Sequence, residues 1–372
     1  MPVNVGALCT TVDQARAAAT GDLRLFFCEA CSYVWNGAHE AAKHDYAPGY
    51  EISLHHSPVF QEFLANLTQS LVEKYDLHGR SVLEIACGTG HFLRMLCAAG
   101  GNRGTGIDPV IEHEGVEAVG TSEITFHRDL LSEKYAEPPC DFICCRQALH
   151  VMSNPKEFMR LVRRIIGDAR RTPVYFEVVN ASKIFETQNA WQLIYEYRSF
   201  FSAASLSRLF SECAFDVVDV SPCYEDGQYL QIEALPADGH HPPTAAPSEE
   251  LEALRTHVVT FSRDVRQKIA DWEQRLTLIR QTDRRIVAWG AGGRGINFLS
   301  LIKGSECIRY IVDINPTRQG LYVPRSAQKV VAPAFLQEYR PDIVVVTNPT
   351  YEREVRAQLD EMRVGCDILV AA

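Results

Sequence analysis

The chain has 372 residues, 46% of them hydrophobic and 23% charged. That is enough for two or three soluble domains with a large core. Its net charge of -10 excludes a polyanion as the main partner, since nucleic acids are held by clustered Lys and Arg. No apolar run reaches the ~18 residues of a membrane span, and Met1-Pro2-Val3-Asn4 opens no signal peptide. The twelve cysteines, several in apolar runs (Cys87, Cys144, Cys145), therefore read as free thiols in a reducing cytoplasm.

In chain order, residues 1–57 read as a small Cys-containing N-terminal subdomain and lid. They hold Cys28-Glu29-Ala30-Cys31 among Phe26, Phe27, Tyr33 and Trp35, then a Pro48-Gly49 loop signal. Phe60, Phe63, Leu64, Leu67 and Leu71 predict an amphipathic helix over 58–77. Strands follow at Ser81–Ile85, Gly104–Asp108, Asp141–Cys145 and Val174–Val179, with helices at His91–Ala99 and over 156–166. This alternation predicts an α/β domain over 58–235, a parallel sheet with helices on both faces. Pro236, Gly239, Pro242, Pro243 and Pro247 mark a boundary, so 236–284 reads as linker and one long helix. Strand, glycine turn and helix recur from 285, making 285–372 a second Rossmann-like domain.

Two glycine loops carry the chemistry. Glu84-Ile85-Ala86-Cys87-Gly88-Thr89-Gly90 leaves a strand and opens a helix, where a bare backbone and a helix N-terminus suit a polar ligand. Asp108, after the next strand, can accept from two ribose hydroxyls. Phe126-His127-Arg128-Asp129-Leu130 supplies an acid for an adenine. The second loop, Trp289-Gly290-Ala291-Gly292-Gly293-Arg294-Gly295, matches the dinucleotide fingerprint, and Asp313 ends the next strand. Alone, it reads as an NAD site.

The first loop with Glu84, Asp108 and Asp129 resembles class I methyltransferases. That resemblance implies S-adenosylmethionine as cofactor, with Gly88 and Gly90 at the methionine end, Asp108 on the ribose and Asp129 at the adenine. Ala86 departs from the family's usual glycine. Further cofactor contacts are placed at Tyr50, Ser53, Pro109, Leu130, Arg146 and Gln147.

The order of the whole chain over nearly all of 26–372 is similar to the sugar C-methyltransferases of bacterial natural-product pathways. The likeness rests on Phe176-Glu177-Val178, Gly227-Gln228-Tyr229, the second glycine loop, Val312-Asp313-Ile314-Asn315-Pro316, Gln319-Gly320 and Asn348-Pro349. It implies a small-molecule acceptor of the nucleotide-sugar kind between the central and C-terminal domains, held by His55, His56, Gln228, Tyr229, Gly290, Gly292 and Asn348. It also implies an N-terminal zinc. Only Cys28 and Cys31 keep that pattern; Cys9, His39 or His44 can complete four ligands, and free thiols without zinc are the alternative.

The family's catalytic histidine falls at Tyr197, beside a retained Glu196; another falls at Val151, next to His150. Carbon methylation beside a ketone needs a base, and an ordinary tyrosine is protonated at neutral pH. Three readings follow. His150, His55 or His56 serves as base; or the acceptor is a nucleophile needing little help; or S-adenosylmethionine is used in a lyase or cyclase reaction, with Tyr50 and Tyr197 near the sulfonium. The catalytic set is then Tyr50, His150, Glu177, Glu196 and Tyr197.

Overall fold

The computed structural model describes residues 1–43, 50, 54–167, 171–237 and 248–371. In chain order these form α1 (Val12–Ala17), β1 (Leu25–Phe27), β2 (Val34–Asn36), α2 (Pro58–Lys74), β3 (Ser81–Ile85), α3 (His91–Gly100), β4 (Arg103–Ile107), β5 (Gly115–Val119), β6 (Ser122–His127), β7 (Phe142–Arg146), α4 (Pro155–Ile166), β8 (Val174–Val179) and α5 (Ala181–Glu186). Then come β9 (Ser199–Phe200), α6 (Ala203–Glu212), β10 (Phe215–Cys223), β11 (Tyr229–Pro236), α7 (Ser248–Arg280), β12 (Ile286–Trp289), α8 (Gly293–Leu301), β13 (Tyr310–Val312), β14 (Lys329–Val331), α9 (Phe335–Tyr339), β15 (Ile343–Val346), α10 (Glu352–Glu361) and β16 (Asp367–Val370).

Local sequence explains the helix starts. Ser57 accepts the Phe60 N–H and Pro58 fills the first turn of α2; Asn154 and Pro155 do the same for α4. Phe60, Leu64, Leu67 and Leu71 line the buried face of α2, each worth about 1.5–3 kcal/mol of burial. That pattern ends at Lys74, so the helix is three residues shorter than 58–77.

The central sheet has eight strands in the order β10-β11-β8-β7-β3-β4-β6-β5. Its interior, β8, β7, β3, β4 and β6, is parallel. Its flanks are not: β5 runs antiparallel to β6, β11 to β8 and β10 to β11. The wholly parallel sheet is corrected to a mixed one. The reason is a hairpin turn, with Tyr224, Glu225 and Gly227 all at positive φ; Asp226-Gly227 was its sequence signal. Strand order reverses at β3, which pairs β4 on one side and β7 on the other, opening a crevice at their C-terminal ends.

The second sheet, β14-β13-β12-β15-β16, is parallel throughout and reverses at β12. The stretch 1–57, in its described residues, is shared between neighbours. Its hairpin β1–β2 continues into β9 of the central domain. Its first residues dock on the C-terminal domain: Cys9 bridges Tyr322, and Arg325 donates its N–H to the Ala15 carbonyl at 2.7 Å. Helix α7 spans both, packing Phe261 on Phe185 near its start and Trp272 on Phe298 near its end. No described helix is long and apolar enough to cross a membrane.

Candidate cofactor and acceptor site

The first glycine turn lies at the C-terminal end of β3. Ala86 and Gly88 both have φ near +56°, a conformation that costs an L-residue roughly 1–2 kcal/mol. That is why glycine suits position 86. A Cβ at Gly88 would meet nothing within 4 Å, so the turn offers bare backbone to open space before the N-terminus of α3. Asp108 Oδ2 accepts the Gly88 N–H at 2.8 Å, and Oδ1 accepts the Val110 N–H at 2.9 Å, across Pro109. Burial raises the Asp108 pKa while both amides pull it down. Beyond β6, Asp129 is held down to about 2 by Lys134, then by Tyr135 and the Leu130 amide. Leu130 beside it is 68% exposed, an apolar side chain left bare.

Under the turn lies a charged layer. Glu84 is buried, and its Oε2 has no hydrogen-bond partner. Burial outweighs the pull of Arg146 and moves the carboxyl up to about 8. Arg146 reaches Glu177 through Nε at 3.3 Å and Nη2 at 3.2 Å, and its guanidinium lies over Phe92. Gln147, itself at φ +56°, donates to Glu177 Oε1 at 2.6 Å. Glu177 is 0% exposed. Glu177, expected in the catalytic set, has its carboxylate enclosed by Arg146, Gln147 and Tyr175, which it positions.

Glu196 is likewise enclosed. It accepts the Val5 N–H at 2.7 Å and the Tyr50 hydroxyl at 2.6 Å. Burial raises its pKa against those bonds. Burial, then the Glu196 charge, pushes Tyr197 above the ordinary phenol value of 10, so it is protonated at neutral pH. His150 is 1% exposed and meets the Tyr197 ring edge-on, centroids 4.4 Å apart. Burial takes His150 down to about 3 and leaves Nδ1 without a partner. So weak a base is poorly matched to proton abstraction near pH 7.

The central and C-terminal domains meet over a polar seam. Asn348 Nδ2 reaches Gln228 Oε1 at 3.4 Å, and Thr350 Oγ1 reaches the same atom at 3.3 Å. Arg294, at the start of α8, donates to Asn348 Oδ1 and to Gln192 Oε1. Both acceptors are neutral, and Arg294 has no ion-pair partner among the described residues. Tyr229, Tyr351, Tyr197 and Tyr224 are the titratable groups around it. Tyr229 stacks on Tyr224, whose hydroxyl bonds that of Tyr351 at 2.8 Å. Sequence reading missed Arg294, Tyr224 and Tyr351. Arg294 was visible as the one charged residue inside the second glycine loop.

That loop is built like the first. Asp313 Oδ2 accepts the Ala291 N–H at 2.8 Å, and Oδ1 accepts the Asn315 N–H at 2.8 Å. Its surroundings differ. Gly292 faces open space, but a Cβ at Gly293 would collide with Ile194, and Val5 lies behind. Asn297 of α8 holds the Trp191 and Leu193 carbonyls at 2.9 and 3.2 Å. Gly290 is turned toward Thr347. The fingerprint helix thus docks a neighbouring domain where an NAD pyrophosphate would approach, which counts against the NAD reading.

His55 and His56 lie beside α3. Their rings are 4.2 Å apart, and His55 stacks on His91, the first residue of α3, at 4.8 Å. Burial, then the neighbouring imidazoles, pulls His55 down to about 4. The pair therefore flanks the first glycine turn, while Ser57 beside it bonds Glu354 of α10 in the C-terminal domain at 2.6 Å. Cys28 and Cys31 share one turn, but Cys9 bridges the C-terminal sheet and His39 stacks on Tyr195. Among the described residues no three His, Cys, Asp or Glu side chains are arranged to hold a metal. Ser53 and His44 lie outside the described residues.

Residues 55–220 match the methyltransferase domain family, and residues 246–371 match the C-methyltransferase C-terminal domain family. The chain is an S-adenosylmethionine-dependent methyltransferase. The methyltransferase is 24% identical to the C-methyltransferase NovU of Streptomyces niveus over 309 residues, 79% of this chain and 72% of that one. Among solved structures it is similar to magnesium protoporphyrin IX methyltransferase from Synechocystis PCC 6803, covering 48% of this chain and 84% of that one, with 14% identity and a TM-score of 0.37. It is similar also to the 1,6-didemethyltoxoflavin-N1-methyltransferase of Burkholderia thailandensis, covering 49% and 82%, with 13% identity and a TM-score of 0.36. The first glycine turn of the methyltransferase fits its cofactor: Gly88 leaves room, and Glu84 Oε2 is a buried polar atom without a partner.

Proposed function

We propose that this methyltransferase acts on a carbon of an anionic small molecule, of the nucleotide-sugar kind, in secondary metabolism. The observation that carries the reading is Arg294. A cation drawn out of water without a counter-charge is costly, and an anionic acceptor would supply the missing charge. Gln228, Asn348, Gly292 and Tyr229 border the same seam.

S-adenosylmethionine, when bound, supplies an electrophilic methyl group on a sulfonium. Gly88, Gly90 and Asp108 would hold its methionine and ribose parts, with Glu84 as an acceptor below. Asp129 and Leu130 would meet the adenine by a polar edge and an apolar face. Glu196 ties Tyr50 to the Val5 amide, so it positions the lid. Tyr197 and Tyr229 give the acceptor an aromatic wall that excludes water. In-line transfer then draws mainly on proximity and orientation.

The second reading is a lyase or cyclase using S-adenosylmethionine without methyl transfer. One observation favours it: the base position holds a protonated, buried Tyr197, and His150 is too weak a base to replace it. Mass spectrometry separates the two. The protein is incubated with S-adenosylmethionine and a panel of nucleotide sugars, small ketones and amines. S-adenosylhomocysteine formed only with an anionic acceptor supports the first reading. Methylthioadenosine, or S-adenosylhomocysteine formed equally with neutral acceptors, overturns it.

A further inference from the structure

We propose that Cys28 and Cys31 form a thiol–disulfide exchange site on the surface of the small sheet. The turn after β1 folds back so that the Cys31 N–H meets the Cys28 carbonyl at 3.4 Å and the Ser32 N–H meets it at 2.9 Å. A four-residue turn of this kind holds its end Cα atoms within about 7 Å, near the span a disulfide accepts. Both sulfurs are partly exposed, whereas Cys87, Cys97, Cys144, Cys145 and Cys213 are buried. Arg208 of α6 is the nearby positive charge.

The exchange needs a low-molecular-weight disulfide as oxidant. The Cys28 sulfur attacks one sulfur of that disulfide, and the other leaves as a thiolate. The Cys31 sulfur then attacks Cys28 in the mixed disulfide and expels the second thiolate. The two cysteine protons go to the two leaving thiolates, so one disulfide is consumed, one is formed and two thiols are released. The turn is anchored on both sides. Glu29 pairs with Arg255 of α7 at 3.2 Å, and Ser32 Oγ contacts Ser202 Oγ at the cap of α6 at 2.5 Å. Tyr33 bonds Ser199 at 2.6 Å. The exchanging pair thus abuts the segment that carries Glu196 and Tyr197.

The test equilibrates the full chain in buffers of graded reduced and oxidised glutathione, quenches with N-ethylmaleimide and maps the peptides by mass. Loss of two hydrogens confined to the peptide holding Cys28 and Cys31, reversed by reduced glutathione, is the expected result. Cys31→Ser is expected to trap one glutathione on Cys28, several-fold above the adduct on Cys9, Cys140 or Cys366. Both cysteines alkylated at every ratio would overturn the proposal. So would an adduct on Cys28 no greater than on the other partly exposed thiols, or a stoichiometric metal that shields the pair from alkylation.

Discussion

Asp108 closes the first glycine turn onto the end of β4 by accepting the Gly88 N–H at 2.8 Å, and Asp313 does the same for Ala291 at 2.8 Å in the second domain. Each aspartate spends its other oxygen on the amide two residues ahead, Val110 or Asn315. The two sites differ in what lies opposite: open space at Gly88, a packed Ile194 at Gly293. Asp108→Asn should therefore lower S-adenosylmethionine affinity, and Asp313→Asn should lower stability instead. A hydrogen bond to a charged group is worth about 1.5–3 kcal/mol, so tenfold or more in Kd is expected for the first, by calorimetric titration. Equal affinity losses in both variants would contradict the assignment.

Ala86 holds a left-handed φ of +56°. Ala86→Gly relieves roughly 1–2 kcal/mol of strain and loosens the unfolded chain by about 0.4–1 kcal/mol. Urea melts should show a net gain between zero and ~1.6 kcal/mol with unchanged cofactor affinity. A loss of stability would mean that the side chain of Ala86 packs usefully.

His150 gives stability a defined pH window. Its folded pKa, about 3, lies below the ordinary 6.5. Below 6.5 the unfolded chain takes up a proton that the folded site refuses, so stability falls as pH drops from 6.5 toward 3. His150→Phe should flatten that part of the stability profile and leave the plateau above pH 7 nearly unchanged. A profile as steep as the parent's would place the acid sensitivity elsewhere.

Arg294 should separate acceptor binding from cofactor binding. Arg294→Met removes the cation at the seam while keeping much of the side-chain volume. KM for an anionic acceptor should rise at least tenfold, with S-adenosylmethionine affinity unchanged and thermal stability equal or higher. A parallel loss of cofactor affinity would argue that the arginine serves the first glycine turn.

What could be read from the residues was what depends on near neighbours. Ser81–Ile85, the turn through Gly90 and α3 follow from a short apolar run, glycines and a helical pattern within twenty residues, and Asp108 sits where the next strand must end. The antiparallel flank was harder, because β10 and β11 alternate poorly and their Asp226-Gly227 turn lies between less regular segments. The enclosure of Glu177 and Glu196 was not readable, since Arg146, Gln147, Tyr50 and Val5 reach them from distant parts of the chain. Nor was the stacking of His55 on His91, or the lack of an ion-pair partner at Arg294 among the described residues. Pairings across folded domains leave no local spacing to count.

The docking of the first residues on the C-terminal sheet has a bearing on biosynthesis. Arg325 donates through its guanidinium to the Arg16 carbonyl across 309 residues. Translation at about 5–20 residues per second separates the appearance of these partners by some tens of seconds. Val5 and its acceptor Glu196 lie only 191 residues apart, so that bond's partners are made well before Arg325. The lid residue Tyr50 and its carboxylate anchor Glu196 thus precede the C-terminal domain, whose Gly293 then packs against Ile194 and Val5. A chain stalled before the C-terminal domain would leave its first residues without their dock on Tyr322 and Arg325.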